Sequence, residues 1–138
     1  MEQSETYKSK LNQLEQALND FASSLEIDLA GRNEKEVDVI KNGQIQKFEV
    51  AIEILWKVMQ RYLYEKIGQS VGGPKPVVKA FYENNIMTEQ KLYEVAFEMI
   101  EARNKLSHLY DKKHFENIYS RLKAFSVSMN EISHILSA

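Results

Sequence analysis

Apolar residues at Tyr7, Leu11, Leu14, Leu18, Phe21 and Leu25 recur at steps of three and four, which predicts one helix from Glu5 to about Leu25. Residues 26–43 are mixed and include Gly31, Asn33, Asn42 and Gly43, so they read as a connector with a helical turn over Glu36 to Lys41. Helical spacing resumes at Ile45, Phe48, Ile52, Leu55, Trp56, Met59 and Leu63. It predicts a second helix of about 24 residues, roughly 36 Å long, ending at Gly68. The glycines and prolines of GQSVGGPKP stop it, and Pro74 or Pro76 opens a short third helix over Val77 to Tyr82. Thr88 is the expected N-cap of a fourth helix carrying Leu92, Val95, Ala96, Met99 and Ile100. Asp111 caps a fifth, whose apolar face is Phe115, Ile118, Tyr119, Leu122, Phe125, Met129, Ile132 and Ile135.

No alternating strand pattern competes, so the expected fold is all-α: an up-and-down four-helix-type bundle with an additional short helix, forming one domain over residues 1–138. The long second, fourth and fifth helices leave apolar surface at the bundle edge, and a symmetric homodimer is expected. Hydrophobic residues at 43% and charged residues at 28% fit a globular chain, whereas a net charge of −2 supplies no global field for nucleic acid. Any RNA contact must then come from a local cationic patch. The absence of cysteine excludes disulfides, thiolate metal sites and cysteine nucleophiles. The opening MEQSETYKSK lacks the apolar core of a secretory signal, and no stretch approaches the roughly 18 apolar residues of a membrane helix. A cytoplasmic location is expected.

The chemistry concentrates in Arg-Asn-Lys-Leu-Ser-His-Leu-Tyr, residues 103 to 110. At about 100° per residue, Arg103 continues the apolar stripe of Leu92, Ala96 and Met99. A guanidinium cannot shed its charge, so there it must pair with a carboxylate, reach a cleft or face an anionic ligand. An internal salt bridge is one reading, with Glu49 on the second helix as partner. His108 lies about 140° round an ideal helix from Arg103, while Asn104 is its neighbour one turn back. A shared site therefore requires the helix to end or bend near Ser107, the arginine to swing round, or a second subunit to contribute; the helix end is the preferred route. If the two converge, the imidazole can take a proton from a ribose 2′-hydroxyl while Arg103 stabilises the phosphate charge and Asn104 orients the ring, with no metal required. Without productive geometry the same basic stretch, Arg103, Lys105, Lys112 and Lys113 against Asp111, would still bind phosphate or nucleotide.

The octet resembles the motif of the HEPN superfamily, an arginine and a histidine four to six residues apart with a tyrosine two beyond. Gly43-Gln-Ile-Gln-Lys-Phe-Glu49 and Leu55-Trp-Lys57 are similar to the second-helix signature of the nucleotidyltransferase substrate-binding and HepT-like toxin group. The similarity spans roughly residues 5 to 125. It implies a homodimeric bundle partnered by a minimal nucleotidyltransferase, which acts as antitoxin. In the HepT-like branch it implies a ribonuclease toxin using Arg103 and His108, silenced when the transferase attaches AMP to Tyr110. The alternative is a non-catalytic subunit that binds nucleotide or substrate for the transferase. Lys47 stands where the group has arginine, Ala102 replaces an acidic residue, and Leu109 replaces threonine. Glu49, Lys47 and Ser107 join Tyr110 as candidate residues for substrate or partner binding.

The remaining polar residues read more plainly. His114 and His134 have no third ligand at metal spacing, so no metal or cofactor is expected. Trp56, Phe48 and Met59 fit a core by periodicity. Gly72-Gly73 lacks the context of a phosphate loop and reads as a linker. Ser107 has no acid-base relay beyond His108, which argues against a serine nucleophile.

Overall fold

The computed structural model describes residues 4–108 and 111–138, with the side chain of His108 also outside the described set. Six α-helices and no strand occur among the described residues: α1 (Glu5–Ser24), α2 (Glu34–Tyr62), α3 (Pro74–Glu83), α4 (Gln90–His108), α5 (Lys112–Tyr119) and α6 (Leu122–Ser137). The fold is all-α, as the periodicity predicts. Among the described residues no helix is long and apolar enough to cross a membrane.

α1 follows its pattern, with the Ser4 side chain accepting from the Tyr7 amide as N-cap. α2 begins eleven residues before the Ile45 expected from hydrophobic spacing. Asn33 and Glu36 form a reciprocal capping box, so what reads as a connector is the first part of a 29-residue helix. Gly43 is carried inside it, and Asn42 turns its amide back onto the Asp38 carbonyl. At its far end the chain widens into a single π turn, Leu63–Ile67, closed by Gly68 at φ 75°. That positive φ is the reason for glycine: the turn brings the Gln69 amide back to the Leu63 carbonyl. α3 starts with Pro74 at its first turn and is longer than the expected Val77 to Tyr82. α4 starts at Gln90 rather than directly after Thr88, with the Glu89 carbonyl accepting the first helical bond from Tyr93.

The fifth predicted helix is two helices. Its apolar steps continue unbroken through Ile118, Leu122 and Phe125, but the backbone turns at Ser120 and Arg121. Ser120 Oγ donates to the Asn117 carbonyl, a local bond that competes with helix continuation. Arg121 is meanwhile drawn to Glu98 of α4, its Nε and Nη2 each 2.8 Å from a carboxylate oxygen.

Paired contacts set the topology. Lys47 with Asp20 and Tyr7 beside Tyr62 make α1 and α2 antiparallel. Tyr62 against Phe81 and Tyr82 stacked on Tyr93 bring the chain across the end of α2, from which α4 returns to place Arg103 beside Glu53. α6 then runs alongside α2, with Phe125 stacked on Phe48 and the carbonyl of Leu136 taking the buried Tyr7 hydroxyl at 2.6 Å. The up-and-down bundle thus closes around a core in which Phe21, Phe48 and Phe125 form one aromatic column. Phe48 and Met59 are fully buried as expected, and Trp56 packs half-buried against the same core.

Candidate functional site

The last turns of α4 place Arg103. Leu92, Ala96, Met99 and Ala102 anchor the helix in the core, and Arg103 emerges half-buried where that stripe reaches α2. Its Nε lies 2.6 Å from a carboxylate oxygen of Glu53, and its Nη1 donates to Asn104 Oδ1 at 3.0 Å. The internal ion pair exists, but one helical turn beyond Glu49. Sequence periodicity puts both acids on the flank of α2, and only the axial register of α4 decides between them.

Glu53 is the centre of a small polar cluster. Lys57 Nζ stands 3.5 Å from it, one turn along α2, and the same ammonium hangs over the Trp56 ring at 6.0 Å. Burial opposes ionisation of Glu53, but the Trp56 indole, the bond and charge of Arg103, and the charge of Lys57 outweigh it and hold the carboxyl below its usual range. The indole N–H is sealed from solvent with no hydrogen bond of normal geometry among the described residues, so we assign its influence on Glu53 to a close dipole rather than a full bond. The sequence pattern does not single out Glu53, Trp56 and Lys57 as a site. The available signal is the i, i+4 step from Glu49 to Glu53 and on to Lys57.

Glu49 faces a different space, a cleft of about 430 Å³ between α2, α4 and α5 lined also by Ile45, Lys105, Leu106, Lys112 and Phe115. Burial pushes its carboxyl above the usual range. The basic residues of the 103–113 stretch do not make this cleft cationic, because Asp38, Glu49, Asp111 and Glu116 share its walls with Lys105, Lys112 and His114. Asp111 caps α5 by accepting from the Lys113 amide, and its carboxylate stands 3.7 Å from His114 Nδ1.

The other candidates are dispersed. Lys47 pairs with Asp20 of α1 at 2.5 Å, away from the α4 end. Ser107 Oγ donates to the Arg103 carbonyl, a back-bond within its own helix. α4 stays helical through His108, so no bend before Ser107 turns Arg103 and His108 to one side. Tyr110 and the His108 side chain lie outside the described residues. Among the described residues no three His, Asp or Glu side chains gather at metal-binding distance.

A family model described as nucleotidyltransferase substrate binding protein like matches residues 2–138. The chain belongs to this family. A solved structure from Thermus thermophilus is similar to this substrate-binding-protein-like chain, with a TM-score of 0.78 and 25% identity over 91% of this chain and 99% of that one. No curated protein matches it. The family assignment agrees with the resemblance carried by the Phe48-Glu49 and Trp56-Lys57 signature, and its description implies a nucleotidyltransferase partner for proteins of this kind.

Proposed function

We propose that this protein is the RNA-cleaving toxin of a pair whose other member is a minimal nucleotidyltransferase, with Arg103 and His108 as its reactive residues. The observation that carries the reading is Arg103: a half-buried guanidinium anchored by Glu53 and Asn104 near the end of α4, five residues before His108. In the proposed reaction His108 accepts the 2′-hydroxyl proton, and the 2′-oxygen attacks the adjacent phosphorus. The bond to the 5′-oxygen breaks and that oxygen takes up a proton, leaving a cyclic phosphate and a 5′-hydroxyl. Acid-base help of this kind contributes about 10² to 10⁴-fold, and a placed cationic donor about 10² to 10³-fold. Asn104, one turn before His108, orients the ring.

Because α4 continues as a helix, the Arg103 and His108 backbones stand about 140° apart around the axis and about 7.5 Å along it. A homodimer, in which a second copy completes the site, resolves that offset. Tyr110 is the proposed acceptor of AMP from the transferase, which would place bulk and negative charge two residues from His108.

One observation favours a second reading. Glu53 already neutralises Arg103, as suits a subunit that binds a nucleotide for its transferase without cleaving RNA. Incubation of the purified protein with total tRNA and a generic RNA, in the presence of chelator, separates the two. Cleavage that falls at least a hundredfold in both His108→Ala and Arg103→Ala supports the nuclease. Intact RNA, together with measurable binding of nucleotide or transferase by the parent, overturns it in favour of the binding subunit.

A further inference from the structure

Beyond Glu53, the outer side of α2 turns cationic. Lys57 and Arg61 follow one and two helical turns later, and with Lys10 of α1 they border a groove of about 560 Å³ whose other walls are Gln60, Tyr64, Ser70, Val71 and Gly72. Among the described residues no acidic side chain lines this groove, in contrast to the mixed walls of the Glu49 cleft, although Lys57 and Arg61 each pair with a glutamate one turn away on the same helical run, Glu53 and Glu65. Arg61 pairs with Glu65 one turn further along and stacks its guanidinium over the Tyr64 ring at 5.4 Å. Tyr64 itself is 56% exposed. Gln60 bonds the Val71 carbonyl at 2.7 Å and so fixes the loop that forms the far wall. The groove is continuous with the Arg103 cluster, since Lys57 contacts the same Glu53 carboxylate that holds Arg103.

We propose that this groove is the track for the single-stranded RNA flanking the scissile phosphate, an inference that rests on the cleavage reading above. Lys57, Arg61 and Lys10 take successive backbone phosphates, and Tyr64 offers an exposed aromatic face for a base. Such a combination of cations along a groove with an aromatic platform binds single strands with little sequence preference. The distance along α2 from Glu53 to Arg61 is about 12 Å, so the track serves an RNA of several nucleotides and leaves a dinucleotide substrate untouched. This also supplies the local cationic patch that a net charge of −2 demands of an RNA-binding chain.

The test is the binding of a labelled 15-nucleotide unstructured RNA to the His108→Ala protein by fluorescence anisotropy across a salt series. The background is compared with the same protein carrying Lys10→Glu and Arg61→Gln, and separately Tyr64→Ala, with circular dichroism to confirm the fold. Each cation that meets a phosphate contributes about 0.7 to the slope of log affinity against log salt. The charge variant is expected to bind at least tenfold more weakly with a slope shallower by about 1.4, and Tyr64→Ala about tenfold more weakly with the slope unchanged. Unchanged affinity and slope in folded variants overturn the track and leave the groove as a contact for an acidic protein surface. A parallel cleavage assay keeps the two readings apart. Lost cleavage of the 15-mer with retained cleavage of a dinucleotide supports the track, equal cleavage of both substrates by variant and parent removes it, and a parent that cleaves no RNA yet binds the 15-mer through these residues removes only the nuclease.

Discussion

Replacing Glu53 by Gln removes the charge that anchors Arg103 while preserving shape. The two groups meet at 2.6 Å with 27% and 34% of their side chains exposed, between the regime of surface pairs and that of buried ones. Exposed pairs contribute about 0–1 kcal/mol and breaking a buried one costs about 3–5, so solvent screening at this partly exposed position leaves about 1.5 kcal/mol. With an unfolding entropy of about 2.1 cal/mol/K per residue over the 138 residues, that lowers Tm by about 5 °C. The pH sign follows from Glu53 being held below its usual range. Its contribution is present above the unfolded-state value and disappears as pH falls through the folded value, so the Tm gap between parent and Glu53→Gln closes on acidification. Thermal melts at neutral and acidic pH read this, and a cycle with Arg103→Ala isolates the pairwise part. A neutral-pH Tm within about 1 °C of the parent, or a gap that persists unchanged at low pH, refutes the claim that Glu53 anchors Arg103.

Glu49 carries the opposite sign: burial raises its carboxyl, so its ionised form costs stability above the folded value. Glu49→Gln should raise Tm at pH 7 and lose that advantage as the medium is acidified below the ordinary carboxylate range, as a pH series of melts would show. Gln44, 3% exposed, donates to the Ser24 carbonyl at 2.7 Å and accepts from the Tyr119 hydroxyl at 2.6 Å. Gln44→Leu strips both partners and should cost about 2–4 kcal/mol in urea unfolding. Asn33→Ala removes one half of the capping box and should cost about 1 kcal/mol, with the loss confined to fraying of the first turns of α2 in hydrogen exchange.

The helical faces are legible because burial writes a repeat into the sequence. Tyr7, Leu14, Phe21, Phe48, Leu55 and Phe125 are all sealed in the core that their spacing predicts. The start of α2 is hidden because its first turns are exposed, and exposed turns carry no apolar stripe. Their signal is the Asn33 to Glu36 capping pair, set among glycines and asparagines that also suit a loop. The split between α5 and α6 is hidden for the converse reason. Apolar steps across Ile118 and Leu122 satisfy one helix or two, and the decision is made by Ser120 and by the pull of Glu98 on Arg121. In the site, the stripe position of Arg103 asks for a carboxylate, a cleft or an anionic ligand, and the structure supplies a carboxylate on a facing helix, Glu53 rather than the expected Glu49. Choosing Glu53 over Glu49 needs the sliding of one helix against another, which no single-helix pattern encodes.

The same geometry explains how one helix distributes three kinds of chemistry. Glu49, Glu53, Lys57 and Arg61 follow one another at steps of four along α2. Each step of four overshoots a full turn by about 40°, so the row winds about 120° around the helix over about 18 Å. Its beginning therefore faces α4 and α5, where Glu49 enters the mixed cleft, and its end faces α1, where Arg61 meets Lys10 across the groove. Arg103 joins at the crossing point, where the row changes from acid to base. On the cleavage reading this order has a direction. A strand is attracted along Lys10, Arg61 and Lys57 and repelled by the carboxylates beyond Glu53, so its phosphate stops beside Arg103 rather than sliding into the Glu49 cleft. Reversing the sign at Glu49 alone should then extend the region of bound RNA past Arg103, a change that footprinting of a long strand would detect and that an unchanged footprint would exclude.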